Sequence, residues 1–217
     1  MASPSTYGWI ALASSLAIGA PGTAAAEASP IRYEDCAAQA ETAPAAALRL
    51  ATRWANADGG APAEHCAALA LMALGDPVAA AERLEALTRR DDVRDDGARA
   101  ALLGQAANAR LVAEQPDAAL AHIAVALRLA PGRAELHLDA SRAHALKRDW
   151  SAAAGAADDA VAADPTSPEA RALAARARWE LREDDAARAQ LRQALRLDPQ
   201  NLEALVLQGE MRQEGAL

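Results

Sequence analysis

Phenylalanine is absent from the 217 residues, aromatic side chains of any kind make up 3%, and lysine occurs once, as Lys147. Without large rings or long Val/Ile runs the chain has little to fill a thick core or a pleated surface, which excludes an all-β fold and argues against a doubly wound α/β sheet. Basic residues are outnumbered, 22 against 30 acidic, for a net charge of −8 and a pI near 5.0. A protein that neutralises phosphates needs a basic face, so nucleic acid is not an expected partner. The apolar run Trp9–Ala20 spans 12 residues, short of the roughly 20 that cross a bilayer. Cysteine is scarce too, confined to Cys36 and Cys66.

What the chain has instead is alanine, 65 residues of it. Alanine loses no side-chain entropy in a helix and is the best helix former. Charged residues are only 24% of the chain, and the apolar positions are periodic, which disfavours disorder. The expectation is an all-α protein built from thin helices in close contact.

The first charged side chain is Glu27, preceded by the apolar run and then Pro21-Gly22-Thr23-Ala24-Ala25-Ala26. A short apolar stretch followed by small residues is the layout of a secretory signal peptide, although no Lys or Arg precedes the run. The reading is a leader over 1–26, cut after Ala26 or after Ala28, with no transmembrane anchor left; the alternative is a disordered Ala-rich extension. Export would place the mature chain in the periplasm or outside the cell. There a lone pair of cysteines is most simply a Cys36–Cys66 disulfide, against the alternative of two buried thiols packing as small hydrophobes.

Beyond the leader the sequence repeats. Pro131, Pro165 and Pro199 are 34 residues apart, as are Ala119, Ala153 and Ala187, then Ile123, Ala157 and Leu191, and then Glu135, Glu169 and Glu203. Within 134–167, Leu136, Ala140, Ala143 and Leu146 form an apolar stripe at helical spacing. A second helix is expected from about Ser151 to Ala163, ended at Pro165, whose ring and missing N–H stop it. Two helices per period, with small residues where they meet, resembles the tetratricopeptide repeat (TPR).

That resemblance implies a right-handed α-solenoid of helix-turn-helix repeats over 100–133, 134–167 and 168–201. A degenerate repeat covers 61–94, and an acidic linker, 95–99, follows it. A divergent helix pair occupies 27–60, broken near Thr42-Ala43-Pro44. Residues 202–217 are expected to form a capping helix with a polar outer face carrying Gln208, Arg212 and Gln213. The family's first-helix Trp and Tyr are mostly missing; His137 and Arg171 stand in matching places.

Catalytic and metal chemistry finds no support in the residues. His137 and His144, seven apart on one helix, are about 10.5 Å apart along its axis, too far to share a metal. His65 adjoins Cys66, and His122 belongs to another helix. Asp91–Gly97 looks like a calcium loop, but Arg94 and Leu103 fall where ligands are needed. No phosphate loop, dinucleotide fingerprint or nucleophile elbow occurs, and Ser141 and Ser151 have no base at a suggestive spacing. No cofactor is expected.

The resemblance instead implies a non-enzymatic module that holds a protein or peptide in a concave groove lined by first helices: Gln105, Asn108, Asp139, Arg142, Arg176, Trp179 and Glu180. Arg142 and Arg176 are one period apart and would receive a carboxylate or acidic peptide, or else pair with acids inside the array. Trp179 would anchor a partner or pack between repeats. The expected protein is a monomer or weak oligomer acting as a scaffold in the cell envelope. The alternatives are a self-associating structural oligomer and an accessory or regulatory subunit of an envelope complex.

Overall fold

The computed structural model describes residues 33–215; the expected leader and both cleavage positions lie outside the described residues. Among the described residues every regular element is an α-helix. In chain order these are α1 (Tyr33–Thr42), α2 (Pro44–Ala55), α3 (Gly60–Ala73), α4 (Pro77–Leu87), α5 (Asp96–Val112) and α6 (Pro116–Leu129). They continue with α7 (Ala134–Leu146), α8 (Trp150–Ala163), α9 (Pro168–Glu180), α10 (Asp184–Leu197) and α11 (Leu202–Gln213). Odd-numbered and even-numbered helices pair as first and second members of successive repeats, and each pair packs on the next.

The turns inside the pairs recur with the period. Glu114, Arg148 and Arg182 each adopt a left-handed backbone, with φ of 56°, 59° and 62°. At each site the residue that follows donates its N–H back across the end of the first helix: Gln115 to Arg110 O, Asp149 to His144 O and Glu183 to Arg178 O. This closure satisfies carbonyls that the helix end leaves without partners. The α3–α4 turn is closed in the same way by Asp76 to Leu71 O, and there a glycine, Gly75, holds the positive φ. Left-handed backbone costs an L-residue roughly 1–2 kcal/mol, so three of the four turns carry strain that the fourth avoids.

Helix starts follow from side-chain oxygens that accept the orphan N–H groups. Asp76, Asp95, Asp149, Ser167 and Asn201 accept from the N–H three residues ahead. The capping by Asp95 corrects the linker expected at 95–99: α5 begins at Asp96, inside that stretch, and the irregular connection is residues 88–95. Likewise α8 starts at Trp150, one residue before the expected Ser151.

The core is thin and divided into a series of small clusters between neighbouring helices. Ala119, Ile123 and Ala126 of α6 sit between Leu103 and Ala107 of α5 and Leu136, Ala140 and Ala143 of α7. One period on from α8, Ala187, Leu191 and Ala194 of α10 pack on Ala172, Ala175 and Trp179 of α9 and on Ala204, Leu207 and Met211 of α11. Small–large–small spacing on α6 and α10 lets two first helices close on each from either side. Ser141 donates to the Ala153 carbonyl at 2.9 Å, a buried tie between α7 and α8.

At the amino-terminal end a disulfide joins Cys36 of α1 to Cys66 of α3, Cα–Cα 6.1 Å, with both residues fully buried. At the other end the polar outer face expected of the capping helix is corrected in part: Arg212 and Gln213 are exposed as expected, but apolar side chains share the outer surface with them. With Ala204, Leu207 and Met211 turned inward, the remaining apolar side chains of α11 point out: Leu202 is 75% exposed, Val206 47% and Leu205 42%. Gln208 is half-buried instead. No helix of the described residues is long and apolar enough to cross a membrane.

Candidate partner-binding face

The first helices α5, α7, α9 and α11 pack side by side, each against the next, so residues one period apart share one face. Between α3 and α5 the arrangement loosens. Their backbones lack the close packing of the other neighbouring first helices, and the connection before α5 runs over 88–95 where later ones occupy 130–133 and 164–167. The gap is a pocket of about 510 Å³ whose floor includes Ala68, Met72, Leu84 and Leu136. Gly104 helps keep it open: a Cβ there would lie 3.0 Å from Leu136 Cδ2, and the positions one and two periods on hold Leu138 and Ala172.

Polar groups rim the pocket. Gln105 and Asn108 project from α5, and Glu135 and Asp139 from α7. Gln105 is engaged: its Oε1 lies 2.6 Å from His65 Nε2, and His65 Nδ1 lies 2.7 Å from the Tyr33 hydroxyl. This chain of hydrogen bonds spans α1, α3 and α5 across the loosened gap. Burial, then the neighbouring Glu34 charge, pushes the Tyr33 hydroxyl above its ordinary value. Asn108 is exposed at the rim and offers one acceptor and two donors, the set that matches a peptide backbone.

The expected groove residues separate into distinct roles. Arg142 donates to Asp139 at 3.0 Å. Asp139 is 8% exposed; burial raises its carboxyl above the ordinary value, and the Arg142 charge and hydrogen bond oppose that rise. Arg176 is held by two acids of α11, hydrogen-bonding Glu210 and lying 3.5 Å from Glu203. Burial acts to lower the Arg176 guanidinium, and Glu210, then Glu203, outweigh it and leave it raised. The two guanidiniums therefore already face carboxylates. Trp179 is 6% exposed and packs between α10 and α11, with the Arg182 guanidinium 5.8 Å from its ring centre; it does not line the groove. Glu180 is exposed at the end of α9.

Two features of the face were missed in the sequence. Glu210 follows Asn108, Arg142 and Arg176 at the same 34-residue spacing, so extending that ladder one step would have found it. The second is a polar knot behind the pocket. Glu85 Oε1 of α4 accepts from Arg110 of α5 at 2.7 Å and lies 2.9 Å from His122 Nε2 of α6. Nothing in the local spacing points to it. Among the described residues no group of three or more His, Cys, Asp or Glu is placed to hold a metal ion.

A smaller pocket of about 380 Å³ lies further along the face, lined by Arg142, Leu173, Glu203 and Val206 among others. Repeated first helices, left-handed turns and a face punctuated by pockets define a tetratricopeptide-type helical solenoid. Solved structures agree on the fold. MamA of Desulfovibrio magneticus RS-1, from residue 41 to its end, aligns with a TM-score of 0.64 at 18% identity, covering 78% of this chain and 95% of that one. A thermophilic TPR protein of Thermus thermophilus aligns at 0.61 and 22% identity, covering 82% and 98%. YrrB, a TPR protein with an unusual peptide-binding site, aligns at 0.62 and 17%, covering 82% and 90%. No protein-family model and no curated protein matches the sequence.

Proposed function

We propose that the chain is a non-enzymatic scaffold that holds a segment of a partner protein against its first-helix face, centred on the pocket between α3, α5 and α7. The observation that carries this reading is the open apolar floor of that pocket beside the uncommitted amide of Asn108. Apolar pockets with a few convergent polar groups are where extended ligands bind, because burial supplies affinity and the amides fix orientation. An aliphatic side chain of the partner enters the pocket, and Asn108 pairs with its backbone. The peptide-binding site of YrrB, a protein of the same fold, supports such a use.

Capture of an acidic peptide by Arg142 and Arg176 is not part of the reading, because each guanidinium is matched to acids inside the array. Glu135 on the pocket rim is itself paired with Arg133 at 2.9 Å, and Glu169 shares the smaller pocket with Arg142, so the fitting segment is aliphatic and uncharged where it enters the pocket. The disulfide supports work in an oxidising compartment such as the cell envelope.

The test is capture from envelope extracts by the mature chain, comparing wild type with Asn108→Arg, which places a long cation across the pocket mouth at an exposed position. The variant should keep its thermal stability and lose the captured partner. If both proteins retain the same set, the pocket is not the site.

A further inference from the structure

In each complete repeat, one face of the first helix is covered by the second helix of its own pair. Ala107 of α5 packs with Ala119 and Ile123 of α6. Ser141 of α7 donates to the Ala153 carbonyl of α8. Arg171 of α9 donates to Gln190 of α10, and Ala175 packs with Ala187 and Leu191. Advancing this register by one period lands on Leu205 and Gly209 of α11, and Val206 is one period on from Ala172, which belongs to the same cluster as Ala187 and Leu191. Among the described residues α11 packs on α9 and α10, and its opposite face carries the exposed Leu202, Leu205 and Val206, with the exposed Gln213 at its carboxy-terminal edge. A Cβ on Gly209 would meet nothing within 4 Å, so the middle of this face is a notch.

We propose that this face of α11 is a docking seat for a helix of a partner protein, one that takes the place a second helix holds in the other repeats. The interface it would extend dictates the chemistry of that helix. Second helices α6 and α10 present a small residue, a large aliphatic four positions on and a small residue three further on: Ala119, Ile123, Ala126 and Ala187, Leu191, Ala194. The incoming helix is taken to match α6 and α10, with a small–aliphatic–small stripe at i, i+4 and i+7, and not α8, whose middle residue is Ala157, because an aliphatic side chain is what fills the space at Gly209. Its aliphatic side chain seats over the Gly209 notch, and its small residues approach Leu205 and Val206. The site is separate from the pocket between α3, α5 and α7, so the two readings stand or fall independently; Val206 also borders the smaller pocket beside Arg142, whereas Leu205 lines neither pocket and tests the seat alone.

The probe is a lactam-stapled, fluorescein-labelled peptide with the α10 sequence, residues 183–199, because α10 is a helix of this type that already fits the array. Stapling removes the cost of ordering an isolated helix of this length. Titrated with the full chain, its anisotropy should rise and saturate. Val206→Asp and Leu205→Glu alter exposed side chains, so both variants should fold as wild type while weakening binding by at least about tenfold. A peptide carrying Leu191→Asp should fail in the same way. Absence of saturable binding up to about 1 mM, or equal binding to Val206→Asp, overturns the proposal. So does sedimentation of wild type as a dimer that Val206→Asp dissociates, which would make a second copy of the chain the occupant.

Discussion

Reducing the Cys36–Cys66 bridge should release α1 and leave the rest of the array in place. The bridge closes a loop with a sequence separation of 30, for which chain entropy assigns about 3.6 kcal/mol of constraint on the unfolded chain. Little else holds α1. Its buried side chains are Cys36 and Ala40, and a buried methyl group is worth roughly 0.8 kcal/mol. The Tyr33–His65 hydrogen bond adds about 1 kcal/mol. Both sums are small beside the entropy of fixing a helix of this length, about 1–2 kcal/mol per residue before its own hydrogen bonds. A solenoid couples mainly through neighbouring repeats, so the loss should stay local.

The assay is amide hydrogen exchange read by mass spectrometry, on the oxidised protein and on Cys36→Ala/Cys66→Ala. Protection over Tyr33–Thr42 should fall by roughly 400-fold, the equivalent of the bridge, while α5 to α10 exchange as before. An equal loss of protection in every helix would refute the reasoning, because the array would then be one cooperative unit. Unchanged protection of α1 would refute it from the other side, showing that packing alone suffices.

Three other perturbations test the fold and its electrostatics. Arg148→Gly should raise stability by about 0.5–1 kcal/mol in chemical denaturation, since the side chain is exposed and its φ of 59° is strained for anything but glycine; a loss would mean that the turn is unstrained. Ile123→Ala removes the large side chain between α5 and α7, 2% exposed, and should cost about 2–5 kcal/mol in the same assay. Asp139 has its folded pKa raised by burial, against the opposing Arg142 charge. The folded state therefore binds that proton more readily than the unfolded chain, so this group destabilises the fold above its raised pKa. That cost is relieved as pH falls through the raised value toward the ordinary carboxylate value. Asp139→Asn should abolish this acid-side gain while changing neutral-pH stability by no more than about 1 kcal/mol; a variant with the wild-type pH profile would clear Asp139 of the effect.

Sequence alone determined the architecture. Prolines and small residues repeating every 34 positions are local punctuation: each acts on its own helix through missing N–H groups, ring clashes and side-chain bulk, so each is legible one residue at a time. The cysteine pairing was open to the same kind of reading, because two cysteines admit one intramolecular bridge. What only the tertiary structure decided depends on which neighbours a side chain meets. Arg142 and Arg176 look alike along the chain, yet one pairs within its own helix and the other with α11. Trp179 became a packing residue because α10 and α11 close over it. The pocket beside Asn108 exists because α3 and α5 stand apart, a distance set by a connection several residues upstream. The outer surface of α11 carries exposed Leu202, Leu205 and Val206 among its polar residues for a related reason. Its inward positions also had to be apolar to cover α10, and only the packed array shows which apolar side chains were left outside.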